Sequence, residues 1–219
     1  MEKRINVKMI EAKEVNSAIK KSINGSEGNE ILISNASKLD NIAVGLNRTV
    51  NIVIRNNVGD LIGALNNGAS IKVEGNAGRY AADGMTAGEV IIEGDVDEGA
   101  GSAMCGGTLV IKGNAEDHVG QLLKGGRIIV LGSVGDYTGS FMIAGNIIIG
   151  GDAGLELGGS MVAGAIYIRG DHEKLGTNLK QTDLTNEDVK FLKEMLERYQ
   201  IAMKPQEFRK IIPQEKKLA

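Results

Sequence analysis

Residues 108–126 read TLVIKGNAEDHVGQLLKGG, and residues 127–145 read RIIVLGSVGDYTGSFMIAG. The two 19-residue blocks align without a gap, as do three more beginning at Ser70, Glu89 and Asn146. A further start at Ala165 reaches Gly170 before the pattern dissolves, and two looser blocks begin near Glu30 and Asn51. A fixed period of this length marks a stacked repeat protein, here of about seven coils.

The columns of the alignment say what each coil does. The second position is Ile31, Ile52, Ile71, Val90, Leu109, Ile128, Ile147 and Ile166; the fourth is Ile33, Ile54, Val73, Ile92, Ile111, Val130, Ile149 and Ile168. Two aliphatic columns spaced by two, mostly β-branched, predict a short strand that points the same positions inward in every coil. The sixth column is Asn35 and Asn56, then Gly75, Gly94, Gly113, Gly132, Gly151 and Gly170. Gly and Asn tolerate left-handed backbone, so this column is read as a turn. Asn57, Asn76, Asp95, Asn114, Ser133, Asp152 and Asp171 follow it as a ladder of turn-capping side chains. A second inward column, Met85, Met104, Leu123, Met142 and Met161, lies later in the coil.

One such unit cannot bury its apolar face alone, whereas stacked units share a continuous core. Residues 30–171 are therefore predicted to form an all-β solenoid, a single-stranded right-handed parallel β-helix, roughly 34 Å long at ~4.8 Å per coil. Flanking α-helices are expected as end caps, because an open solenoid end exposes unpaired strand edges. Residues 1–29 are read as a strand with alternating Ile5, Val7 and Met9, followed by a capping helix with Val15, Ala18, Ile19 and Ile23 on one face. Residues 172–203 are read as a linker and a helix opened by a Thr185 and Asp188 capping box, with Val189, Leu192, Met195, Leu196 and Tyr199 on one face. Residues 204–219 are expected to be an extended tail.

Composition excludes several functions. The 219 residues include 31 Gly but only 2 Pro, which removes the collagen reading of the glycine. A net charge of −3, 3% aromatic residues and no Trp offer neither an electrostatic footprint nor a stacking platform for nucleic acid. No apolar run approaches a membrane span and no apolar leader opens the chain, so a cytoplasmic protein is expected. The single cysteine, Cys105, cannot hold an iron–sulfur cluster, and with only His118 and His172 beside it a structural zinc site is not expected.

Chemistry-bearing patterns are sparse. There is no phosphate-binding glycine loop and no nucleophile elbow, and Ser102, Ser140 and Ser160 have no histidine in an equivalent or adjacent coil beyond His118. Glu74 and Glu93 share a column of adjacent coils, which would suit acid–base work. That column continues as Arg55, Glu74, Glu93, Lys112, the pattern of an exposed ion ladder. Gly150, Gly151 and Asp152 are the nearest match to a calcium-binding repeat, and no other coil has it.

The third column is the oddity. It reads Leu32, Val53, Lys72, Ile91, Val110, Ile129, Ile148, Tyr167 and should face outward, yet it is apolar from the fourth coil onward. Such a stripe meets something. A helix over 185–199, about 22 Å long, would cover four or five coils; a partner subunit is the other reading. Ile91, Val110, Ile129, Ile148 and Tyr167 are accordingly candidates for partner docking, with Phe208, Ile211 and Ile212 of the tail.

The coil pattern seen at Gly113–Gly120 and Lys124–Val130 resembles the glycine-repeat β-helix of the glutamate synthase large subunit. The same family includes the C subunit of formylmethanofuran dehydrogenase. The N-terminal helix and the acidic helix after the coils look more like the free-standing archaeal-type glutamate synthase subunit. The resemblance implies a non-catalytic scaffold of a split glutamate synthase, an oxidoreductase subunit that holds an amidotransferase and an FMN-binding synthase together. FMN and the iron–sulfur cluster would sit on those partners and none on this chain, which has neither an N-terminal Cys nor cluster cysteines, so no catalytic residue carries over. Asp97 and Glu116 depart from the coil glycine seen at Gly78, Gly135 and Gly154. Alternatives are the formylmethanofuran dehydrogenase C subunit, a stand-alone ester hydrolase, and a self-associating structural protein.

Overall fold

A computed structural model describes residues 3–6, 11–23, 30–34 and 36–214. Val7, Met9 and Asn35 of the sequence reading lie outside these residues. Nine parallel strands stack in sequence order: β1 (Lys3–Asn6), β2 (Glu30–Ser34), β3 (Asn51–Ile54), β4 (Asn67–Val73), β5 (Ala87–Ile92), β6 (Thr108–Ile111), β7 (Arg127–Val130), β8 (Asn146–Ile149) and β9 (Ala165–Ile168). From β2 onward each pairs in the register that the columns predict, Ile31 with Ile52, then Ile71, Val90, Leu109, Ile128, Ile147 and Ile166. Both aliphatic columns and the Met/Leu column are buried in one continuous core. The chain is thus a parallel-strand solenoid of about seven turns with two flanking helices.

The turns differ from the sequence reading in an instructive way. None of the six predicted turn glycines is left-handed; among the described residues of that column only Asn56 is, at φ 75°. A Cβ on Gly75, Gly94, Gly113, Gly132, Gly151 or Gly170 would instead run into the coil below, against the ladder side chain and backbone there. Close approach of coils, not backbone handedness, demands glycine at these positions. Left-handed backbone falls later in the coil, at Tyr80, His118, Tyr137 and Glu156, and again at Leu122, Phe141 and Ser160.

The two ends are closed differently. Helix α1 (Ala12–Ile23) seals the first end, burying Val15 and Ile19 in the main core. Its Asn16 accepts the Ala43 N–H at 2.8 Å and donates to the Asn41 carbonyl at 2.6 Å. At the far end the tail is not merely extended. After a 3₁₀ turn at Pro205–Glu207, β11 (Arg209–Pro213) inserts antiparallel beside β9, and β10 (Leu179–Thr182) pairs outside it. Ile211 sits opposite Ile166 and is fully buried, so the last parallel strand gains both a backbone partner and an apolar roof. Helix α2 (Asn186–Arg198) is not an end cap; it lies against the side of the stack.

Candidate functional site

The third-column stripe lies beneath α2. Val110, Ile129, Ile148 and Tyr167 are at most 4% exposed and share a second core with Leu192, Met195, Leu196, Ile201 and Phe208. Ile91 and Ile212 are partly buried against the same cluster, while Ile211 belongs to the main core. The predicted docking residues therefore face the chain's own helix and tail. The amphipathic face of α2 is the physical reason, since leaving both apolar surfaces wet would forfeit the burial of both.

Polar contacts hold the helix in place. The capping box forms as read, the Asp188 N–H reaching Thr185 Oγ1 at 3.2 Å and the Thr185 N–H reaching Asp188 Oδ2 at 2.8 Å. Asp188 also accepts from Tyr167 Oη and from Lys210 Nζ, each at 2.7 Å. One carboxylate thus joins helix, stack and tail. Burial alone would raise this carboxyl, but Lys210, Thr185 and Tyr167 hold it well below the usual carboxylate range. At the other end of α2, Tyr199 Oη donates to Glu89 at 2.6 Å; burial and that carboxylate push the phenol up to about 12.

The groups considered for catalysis are not assembled into a site. Glu93 lies between Lys112 at 2.9 Å and Lys72 at 3.1 Å, and Glu74 is 3.8 Å from Arg55, as an ion ladder requires. Burial would raise the Glu93 carboxyl, yet the two lysines bring it below its ordinary value, the wrong direction for a general acid. His118 stacks on Tyr137 with ring centroids 5.2 Å apart and stands 3.9 Å from Glu98. The Oγ of Ser102 and of Ser140 and the Nδ1 of His118 and of His172 are buried without a hydrogen-bond partner, and no group of three or more His, Cys, Asp or Glu among the described residues is placed to hold a metal ion. No helix among those residues is long and apolar enough to cross a membrane.

What the sequence reading missed is on the face away from α2. Leu122 and Phe141 occupy one column, and Ile143 and Val162 another two positions on, all 45–70% exposed. The signal was present in the repeat but diluted, because these columns hold Gly84, Ala103 and Ser160, and Thr86, Cys105 and Lys124, in other coils, while Leu65 is a further exposed leucine in the first of them. The patch runs into a groove of about 790 Å³ at the solenoid's far end, lined by Met161, Val162, Lys180, Ile212 and Gln214.

An in-register stack with a continuous core and helices seated on its side and end defines a β-solenoid. The model of the GXGXG motif family matches residues 4–218, and the chain belongs to that family. None of the curated proteins matches it. Among solved structures it is similar to a chain of the formyltransferase/hydrolase complex (FhcABCD) from Methylorubrum extorquens, determined in complex with methylofuran. That similarity has a TM-score of 0.68 at 27% identity and covers 91% of this chain and 85% of that one.

Proposed function

We propose that this chain is a non-catalytic scaffold subunit of a formyl-group enzyme complex, of the formyltransferase/hydrolase or formylmethanofuran dehydrogenase type. The observation that carries the reading is the similarity, over nearly the whole of both chains, to a component of a formyltransferase/hydrolase complex. A shared-core stack transmits geometry without flexing, which suits a part that holds reactive subunits in fixed relation. The split glutamate synthase reading draws on the same repeat, but no feature of the coils favours it over the formyl-group complex.

On this reading the redox or hydrolytic centres belong to partner subunits. One cysteine cannot supply the roughly four thiolates of a cluster. Native isolation from source cells, with mass spectrometry and a visible spectrum of what co-elutes, tests the proposal. Co-purifying subunits with formyl transfer, formyl hydrolysis or a pterin-bound metal are the expected result. A flavin and iron–sulfur spectrum with a glutamine amidotransferase would move the chain to glutamate synthase. A colourless protein without partners would refute the scaffold reading.

A further inference from the structure

The last full coil leaves one side of the ladder unfinished. In each earlier coil the carbonyl of the Met/Leu column accepts an N–H from the coil above. Met104 accepts from Lys124, Leu123 from Ile143 and Met142 from Val162, each at 2.8 Å. The amide just before that column donates upward in the same way, Leu122 to the Ser140 carbonyl at 2.9 Å and Phe141 to the Gly159 carbonyl at 2.8 Å. The equivalents in the last coil are the Met161 carbonyl and the Ser160 N–H, and no described residue completes either. The chain rises after Gly176 into β10 instead of running on over Met161, and Pro213 in the groove wall has no N–H to offer.

We propose that an extended segment of a partner subunit adds itself here as the missing rung. The repeat states the chemistry of that segment. It needs an apolar residue, Met or Leu, against the remaining edge of Met161, which is itself 6% exposed; an outward apolar residue beside Val162, which is 70% exposed; and small residues after them, as in Met142-Ile-Ala-Gly145. Strand addition of this kind takes its affinity from main-chain hydrogen bonds and its selectivity from alternate side chains. The exposed Phe141 and Ile143, one coil below, extend the same surface. The inference rests on the reading that this chain works among partner subunits, but not on which ones.

The test uses the full chain and an acetylated, amidated, dye-labelled peptide with the sequence of residues 139–146. Saturable binding is expected, with slowed hydrogen exchange at the Ser160 amide. At least ten-fold weaker binding is expected for the Met142→Asp version of the peptide and for the Val162→Lys protein; Val162 is exposed, so that substitution leaves folding intact. Absent binding, equal binding of the Met142→Asp peptide, or unchanged Ser160 exchange would overturn the inference. So would binding that appears only after deletion of residues 215–219, which would assign the groove to the chain itself. So would a dimer abolished by Val162→Lys, which would assign it to a second copy. Partners that still co-purify with Val162→Lys would also refute it while leaving the scaffold reading in place.

Discussion

The carboxylate of Asp117 occupies the space that a side chain on Gly135 would need. Asp117 Oδ1 accepts the Asp136 N–H of the next coil at 2.8 Å, and a Cβ on Gly135 would overlap that oxygen. The relation recurs. Asp40 reaches the Asp60 N–H under Gly59, Asp60 the Arg79 N–H under Gly78, and Asp136 the Leu155 N–H under Gly154. Where the lower residue is instead Arg79, Glu98 or Leu155, the residue above is Asp97, Glu116 or Glu173. The three departures from the coil glycine are thus the coils in which no aspartate from below takes the following N–H; Glu98 faces His118 instead.

Gly135→Ala is expected to destabilise the chain by about 1–3 kcal/mol through overpacking. Asp117→Ala removes one hydrogen bond and costs about 1 kcal/mol. In the double variant the overlap with the carboxylate is gone while the backbone at Asp117 N and Glu116 C still crowds the new Cβ at 2.8 and 2.9 Å, so its cost falls below the sum but stays above that of Asp117→Ala alone, whereas Glu116→Ala changes stability by no more than about 0.5 kcal/mol. Urea unfolding of the four proteins checks the cycle.

Because Ile129 lies between the stack and α2, Ile129→Glu is expected to release the helix instead of weakening a subunit contact. Leu192→Ala, on the other side of that contact, should cost about 2–5 kcal/mol. Limited proteolysis between residues 185 and 199, followed by mass, distinguishes release from partner loss. A fully stable Ile129→Glu protein that fails to bind partners would reverse the assignment of this face.

Phe141→Ser touches an exposed side chain and should leave unfolding within about 0.5 kcal/mol of the parent. If the patch away from α2 is the contact surface, partner recovery in native isolation falls while the melting curve stays in place. Undiminished recovery would remove Phe141 from the interface.

Lys210→Met leaves the Asp188 carboxylate buried beside α2 without its cation, a loss on the order of 3–5 kcal/mol for a buried pair. The carboxyl pKa is depressed in the fold, so its contribution is present above the ordinary carboxylate pKa and is lost as pH falls through the lowered value. The native chain should therefore keep α2 seated at pH 4, and the Lys210→Met protein should release it at higher pH than the native chain does. Near-ultraviolet circular dichroism against pH reads both.

Tyr199 has the opposite sign. Its phenol is raised from about 10 to about 12, so the folded chain holds a proton that the unfolded chain loses. Stability from this contact is complete below pH 10 and declines as pH rises towards 12. A spectrophotometric tyrosine titration of the native chain, minus that of Tyr199→Phe, should show a step near 12; a step near 10 would mean that the bond to Glu89 is not made in solution.

The stack itself was legible in the sequence because a 19-residue period repeats the same physical demand in every coil. Ile71, Val90, Leu109 and Ile128 are equivalent by position, and equivalent positions in a stack must pair. The capping box at Thr185 was legible too, because its geometry is local. The glycine column was found, but its reason was misread. A Gly in a sequence signals permission, and only the coil beneath Gly113 shows that the permission used is close approach rather than a left-handed turn. The stripe through Ile129 declared itself apolar, yet what covers it depends on where a helix some 60 residues later comes to rest. The strand that Ile211 contributes is decided the same way, since antiparallel insertion beside β9 has no counterpart in the repeat. By itself the sequence determined the coil, its register and its inward columns, because those follow from contacts repeated at a fixed spacing. The tertiary structure alone decided which faces are covered and which rung is left open, because those depend on non-repeating segments that meet the stack once.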